Sequence, residues 1–343
     1  MSVIDSLYAA VARQRCRWYE SHPDRRRRLA QPVVSVGSLS VGGSGKTPFV
    51  QFVAALLRDA GERPAILSRG YRRRTPSDGV TVVRDADAIR VDLDHAGDEP
   101  MMLARALPGV AVVVAPERYL AGRMAERRLG ATVHLLDDGF QHLQLARDID
   151  LLVMDVRELD RPTTLPSGRL REPVTAAVRA DALILSGARA KDGEAARLGN
   201  RLGVPQVFEF ARRQGTPTGI ADHHAPVEIS AATRVLGVAG IAQPERFFDD
   251  VRALGAQFAG GLGFADHHPY TAGDVREIAE NARASDVDLV LTTEKDLVRL
   301  LPHRPLPFAL AALPLVVEMP QQAQFRSWLL DRLATVRRER SDG

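Results

Sequence analysis

Lys46 and Thr47 stand at the end of a run whose residue types suit the handling of a triphosphate: Val33-Val-Ser-Val-Gly-Ser-Leu-Ser-Val-Gly-Gly-Ser-Gly-Lys-Thr-Pro48. An ammonium at Lys46 would reach β- and γ-phosphate oxygens, and the Thr47 hydroxyl would hold Mg²⁺. Small residues before them let backbone N–H groups turn toward an anion, and a helix starting at this point adds its positive end. Ser40, Val41, Gly42, Gly43, Ser44, Gly45, Lys46 and Thr47 are therefore the candidate nucleotide-binding residues. The first glycine of the G-x-x-x-x-G-K-[ST] pattern falls on Ser40, while the doublet Gly42-Gly43 keeps the loop permissive.

Carboxylates come next. His134-Leu-Leu-Asp137-Asp138-Gly139 is an apolar strand ending in two acids, and a strand-end Asp beside a phosphate loop helps hold Mg²⁺, often through water. Gln141 and His142 follow, with either a ligand-binding or a structural role. Gly97-Asp98-Glu99-Pro100 precedes a helical segment whose dipole favours acids there; it also keeps Asp98 ionised, ready to accept a proton or face a metal. Arg118, ahead of another helix, could neutralise a transferring phosphoryl group. Arg69-Gly70-Tyr71 could hold an anionic or sugar group. Arg169, Arg171 and Glu172 lie in the Pro/Gly loop at 165–173, which taken alone is simply a loop. Asp266-His267-His268 offers imidazoles that could orient a carboxylate, but no Cys or Glu at zinc-ligand spacing. Thr292-Thr-Glu-Lys-Asp296 has adjacent Lys and Asp, unlike a guanine-reading motif, which favours ATP over GTP.

These residues need elements to hold them. β-branched runs at 33–36, 65–68, 110–115, 133–137, 150–155 and 182–186 alternate with helical patterns at 48–60, 100–106, 118–129 and 190–202. That alternation predicts a mostly parallel sheet with helices on both faces and ligands at the strands' carboxyl ends. The stretch after Phe210, 212–219, reads as a polar loop. A second α/β pattern follows, with strands at 234–238, 257–264, 289–292 and 313–317 and helices at 245–254, 272–284 and 321–337. The predicted organisation is thus an N-terminal basic helix over 1–30, a phosphate-loop domain over 31–210 and a smaller α/β domain over 211–343. Ala-Asp-His-His occurs at 221–224 and 265–268, too short to count as a repeat.

With 343 residues there is room for two cores, and 45% apolar with 26% charged residues is the balance of a globular chain. The single cysteine, Cys16, excludes an internal disulfide framework and suits a reducing compartment. No stretch approaches the roughly 20 apolar residues that cross a bilayer, and no signal peptide is visible. The net charge of +3 is unevenly spread: Arg13, Arg15, Arg17 and Arg25-Arg26-Arg27-Arg28 crowd the N-terminus. Ile4, Leu7, Tyr8 and Val11 recur there at helical spacing, followed by Trp18 and Tyr19. This pattern fits a membrane-surface helix; it equally fits a helix capping the first domain with a solvated Arg face. Nothing else in the chain forms the basic stripe or aromatic platform that nucleic acid requires.

The ordered set of motifs resembles the tetraacyldisaccharide 4′-kinase family of lipid A biosynthesis, over residues 32 to about 296. The resemblance is carried by Val-Gly-Gly-Ser-Gly-Lys-Thr-Pro (41–48), Leu-Ser-Arg-Gly-Tyr (67–71), Gly-Asp-Glu-Pro (97–100), Leu-Asp-Asp-Gly-Phe-Gln-His (136–142), Leu-Arg-Glu-Pro (170–173), Ala-Gly-Ile-Ala-Gln-Pro-Glu-Arg-Phe-Phe (239–248), Phe-Ala-Asp-His-His (264–268) and Thr-Thr-Glu-Lys-Asp (292–296). It implies a P-loop NTPase-like α/β/α sandwich with a second, smaller α/β/α domain, joined by a short two-stranded linker. It also implies phosphate transfer from MgATP to the 4′-hydroxyl of an acylated glucosamine disaccharide 1-phosphate, at the cytoplasmic face of the inner membrane. By motif, Asp98 would be the general base paired with His267 across the interdomain cleft. Glu99, Asp137 and Asp138 would join the metal and phosphate shell, and Arg69, Tyr71, Gln141, Arg171 and Glu172 the substrate side. No protein partner is implied. Three features depart from the family pattern: Ser38 stands where Asn is usual, Arg72-Arg73-Arg74 adds positive charge, and the N-terminal helix is less apolar than a strong anchor. The competing readings are a P-loop ATPase or GTPase of the switch or metallochaperone class, and a non-catalytic nucleotide-binding scaffold. The first would need a base-reading motif and soft metal ligands, which Cys16 alone cannot supply. A scaffold would not need Asp98 and His267.

Overall fold

The computed structural model describes residues 3–42, 45–70, 73–75, 79–159, 162–187, 193–220 and 225–342. Gly43, Ser44, Tyr71, Arg72 and the first Ala-Asp-His-His lie outside the described residues.

The N-terminal helix α1 (Val3–Ser21) leads into β1 (Val33–Gly37), α2 (Lys46–Asp59), β2 (Pro64–Ser68), β3 (Thr81–Arg84), α3 (Leu93–Ala96), α4 (Asp98–Ala106), β4 (Ala111–Val114), α5 (Arg118–Leu129), β5 (Val133–Asp137) and β6 (Ile149–Asp155). Then come β7 (Ala182–Ser186), α6 (Glu194–Leu202), β8 (Gln206–Gln214) and β9 (Thr218–Gly219). The remainder holds β10 (Arg234–Ala239), α7 (Pro244–Arg252), β11 (Gln257–Gly263), α8 (Ala272–Ala284), β12 (Leu289–Thr293), α9 (Glu294–Leu300), β13 (Leu310–Leu313), β14 (Leu315–Glu318) and α10 (Gln322–Ser341).

Two sheets result. The first has nine strands in the order β14-β8-β7-β6-β1-β5-β2-β4-β3, parallel except at its edges, where β14 and β3 run antiparallel to their neighbours. The second has five, β11-β10-β12-β13-β9, with β9 antiparallel at one edge. Central strands of a parallel sheet are covered on both faces, so their residues are mostly apolar; every residue of β1, β5, β6 and β7 is buried, including the polar Ser35, His134, Asp137, Asp150, Asp155 and Ser186. Alternate side chains then enter different cores. Val34 and Val36 join Phe49, Val53 and Leu57 of α2, whereas Val33 and Leu136 join Ala121 and Ala125 of α5. The second sheet does the same, packing α8 against Leu236 and Val238 and α7 against Val235 and Leu291. Both units are α/β/α sandwiches.

Three elements differ from the sequence expectation. The strand expected at 313–317 is two strands in two sheets, because Pro314 has no N–H to continue a ladder. The polar stretch expected as a loop from residue 212 begins inside β8, whose pairing with β7 ends at Phe210 while its pairing with β14 continues through Gln214, over a stretch that carries Arg212 and Arg213. The third concerns the stretch 211–343, expected as one C-terminal unit. Its last part, β14 and α10, returns to the first sheet, where Phe325, Leu329 and Leu333 share a core with Phe49 and Phe208. Each large side chain buried in this way contributes roughly 2–3 kcal/mol, which is what draws the chain back.

Candidate active site

β1 and β5 lie side by side with Val36 opposite Asp137, so the loop leaving β1 and the acids ending β5 emerge together. Close approach is built in: a Cβ at Gly37 would sit 2.5 Å from that of Phe140. Gly42 and Gly45 have φ of +68° and +83°, the left-handed region that favours glycine. Arg169 donates from Nη2 to the carbonyls of Val41 (2.9 Å) and Gly42 (3.1 Å), and accepts from the Val41 N–H (2.9 Å), tying the loop to the 163–173 segment. Gly45 gives α2 no side-chain cap, and the positive end of that helix faces the loop, a setting that suits an anion. Ser40 is fully buried, donating to Glu158 Oε1 at 2.6 Å, and takes no part in the cleft wall.

The cleft at this edge has a volume of about 900 Å³. Gly42, Gly45, Lys46 and Thr47 form one wall; Glu99, Asp137 and Asp138 form another; Arg69, Arg118, Gln141, Arg171 and His267 complete it. Lys46 Nζ is 3.5 Å from Asp138 Oδ1. Arg171 donates from Nη1 to Asp138 Oδ2 (2.6 Å) and to Gln141 Oε1 (3.2 Å), while Gln141 Nε2 donates to the Ser38 carbonyl (3.0 Å). The expected substrate residues Arg171 and Gln141 thus also brace the phosphate loop against Asp138. Burial, then the charges of Glu99 and Asp138, push the Asp137 carboxyl up to about 7 against the pull of Lys46 and Arg118. Burial, with Arg69 nearby, lowers the Arg118 guanidinium to about 10. Burial and the surrounding arginines lower His142 to about 4, so its imidazole is neutral at pH 7.

The donor set suits a hard divalent cation. Thr47, Glu99, Asp137 and Asp138 offer oxygen, and the raised Asp137 carboxyl, which owes most to burial and then to repulsion from Glu99 and Asp138, is a charge conflict that such a cation would relieve. Among the described residues no three His, Cys, Asp or Glu side chains close a metal cage.

Asp98 opens α4 behind Gly97, next to the cleft-lining Glu99, and is itself not among the residues that line the cleft. Its Oδ2 is 3.7 Å from His267 Nδ1, and His267 is held at φ +62°. The neighbouring His268 turns away, 3.1 Å from Asp274 and stacked on Phe264. Glu172 does not reach the cleft: it is buried in an ion pair with Arg179 and accepts from Cys16 Sγ at 3.4 Å. The sequence reading also passed over residues that line or support the site. Arg15 of α1, Ser68, Gln144 and Arg212 line the cleft, and Arg299 holds Asp98. Arg15 was visible only as part of a basic run. Arg299, one helical turn beyond Lys295, had the motif at 292–296 as its nearest signal.

Strand, glycine loop, Lys-Thr and helix on a parallel sheet, with acids at the adjacent strand end, define a P-loop protein of the phosphoryl-transfer type. A family model described as tetraacyldisaccharide-1-P 4′-kinase matches residues 1–334. A tetraacyldisaccharide 4′-kinase of Desulfotalea psychrophila is 36% identical over 303 residues, covering 87% of this chain and 86% of the relative. One of Nitrobacter winogradskyi is 40% identical over 348 residues, covering 98% and 94%. The crystal structure of LpxK from Aquifex aeolicus in complex with ATP superposes with a TM-score of 0.79 at 30% identity, covering 96% of this chain and 97% of that one. The chain belongs to the tetraacyldisaccharide 4′-kinase family.

Proposed function

We propose that the chain transfers the γ-phosphate of ATP to the 4′-hydroxyl of a tetraacylated glucosamine disaccharide 1-phosphate, a step of lipid A biosynthesis. The observation that carries this reading is one cleft in which the uncapped start of α2, Lys46 and the Asp137–Asp138 pair meet His267 from the second sheet. Backbone amides at 42–47 and Lys46 bind the triphosphate tail. Thr47, Glu99, Asp137 and Asp138 would hold Mg²⁺, which would supply neutralisation of phosphate charge. Asp98 takes the proton of the sugar hydroxyl as its oxygen bonds to the γ-phosphorus and the bond to ADP breaks. His267 orients Asp98. Arg118, buried and charged at neutral pH, stabilises charge on the phosphoryl group in flight. Arg69, with Tyr71 and Arg171, receives the anionic sugar.

The acceptor is a lipid, and α1 fits a peripheral contact with the cytoplasmic face of the inner membrane. Ile4, Leu7, Tyr8, Val11 and Trp18 are exposed on it, while no helix among the described residues is long and apolar enough to cross a membrane. Purified protein given ATP labelled on its γ-phosphate, Mg²⁺ and the tetraacylated disaccharide should move label onto the lipid. Label released only as inorganic phosphate would point to an ATPase instead, and no turnover to a nucleotide-binding scaffold; either overturns the reading.

A further inference from the structure

Asp98 stands on the first sheet's α4, yet its strongest partner comes from the second unit. Arg299, on α9, donates both Nε–H (2.8 Å) and Nη2–H (2.5 Å) to Asp98 Oδ2. The guanidinium is nearly sealed from solvent, and its remaining nitrogen is committed elsewhere: Nη1 donates to Asp296 Oδ1 at 3.1 Å and lies 3.4 Å from the Gly240 carbonyl. Asp296 is itself fully buried, accepting on Oδ2 from the Gly240 N–H (2.9 Å) and the Thr293 hydroxyl (2.7 Å). A Cβ at Gly240 would come within 3.0 Å of Asp296 Oδ1, so the end of β10 is shaped to this cluster. α9 reaches both units, with Leu297 in the core of the second sheet and Val298 in that of the first.

We infer that Arg299 is a positioning residue for Asp98 in the phosphoryl transfer. Two donors on a single oxygen pin Oδ2 in place and leave Oδ1 outside the fork, for the acceptor hydroxyl. A carboxylate on the first residue of a helix has two side-chain torsions to restrain, and a displacement of about 1 Å in a reacting group can cost 10²-fold in rate. Arg299 Nη2 also lies 3.1 Å from His267 Nδ1, so one guanidinium fixes both members of the pair. The inference rests on the reading of Asp98 as the proton acceptor.

A double-mutant cycle tests it. Arg299→Gln should lower kcat about 10²-fold while KM for ATP moves less than about threefold. On an Asp98→Asn background the same change should cost less than about threefold, because the group it positions no longer works. Arg299→Lys, which keeps the charge but cannot place two donors on one oxygen while holding Asp296, should recover only part of the rate. It also serves as the cycle's second variant if Arg299→Gln does not fold. An equal loss in both backgrounds would mark Arg299 as a clasp between the units rather than a support for Asp98, and no loss in either would also overturn the inference. An unchanged kcat in Asp98→Asn alone would remove Asp98 from the chemistry, and the inference would fall with it.

Discussion

At the residue scale, the chemistry concentrates where burial and charge conflict. Lys46 and Arg118 face three acids, and the cleft gains from a cation and a polyanion together what neither supplies alone. Lys46→Ala should lower kcat for lipid phosphorylation by at least about 10²-fold, measured by label transfer, with the fold intact by circular dichroism. Turnover close to the parent rate would remove the phosphate loop from the mechanism. Glu294 gives a prediction of opposite kind. Burial pushes its carboxyl up from 4.5 to about 7, with the Leu315 N–H at 3.3 Å as a partial offset. The folded chain then holds a proton that the unfolded chain has released, so stability falls as pH rises from about 4.5 to 7 and levels off above. Glu294→Gln should flatten that slope and stabilise the protein at pH 8 by about 2–3 kcal/mol. Denaturant midpoints that keep the parent's pH dependence would contradict it. Residues whose chemistry is local to the chain were legible in the sequence: Lys46, Thr47, Asp137 and Asp138 announce themselves by spacing. Arg15, Arg212 and Arg299 were not, because each reaches the site from an element far away in sequence. Glu172 shows the converse, a charged residue in a motif that the fold turns inward onto Arg179.

At the element scale, α1 has two different faces. Ala9 and Asp5 are buried, with Asp5 Oδ1 accepting from the Ser167 N–H at 3.2 Å, and Cys16 accepts from Arg179 Nη1 at 2.9 Å. The inner face is therefore docked, as a capping helix would be, while the outer face leaves Ile4, Leu7 and Val11 each more than half exposed. The two readings left open by the sequence are compatible. Arg15 of this helix lines the cleft, so α1 connects the exposed apolar face to the site. Leu7→Glu combined with Val11→Glu should weaken sedimentation with anionic vesicles by at least about tenfold, while turnover on detergent-dispersed lipid stays near the parent value. Undiminished vesicle binding would leave α1 as a cap only. Periodicity located most elements to within a few residues. It failed at the end of β8, where a strand carrying Arg212 and Arg213 looks like a loop, and at Pro314, which splits one apolar run between two sheets.

At the scale of the whole molecule, the chain crosses from the first sheet to the second after β8 and returns after β13, so α10 completes a core begun by α2. Sequence order cannot show that return: a helix following a second α/β pattern reads as part of it, and only the cluster of Phe49, Phe208 and Phe325 explains why it leaves. The consequence is functional. The units are tied by two strands at one edge and by α9 against α4, and the cleft opens between the phosphate loop of one and His267 of the other. The central claim is that a triphosphate lies along 42–47 with its terminal phosphorus facing Asp137, Asp138 and Asp98. The most direct measurement is a crystal structure of the protein with Mg²⁺ and a non-hydrolysable ATP analogue. The account predicts phosphate density over the start of α2, contacted by Lys46 and Thr47, with the γ-phosphate at the open side of the cleft near Asp98. Density for the analogue at another site, or none over that helix in crystals where the analogue is bound, would contradict it.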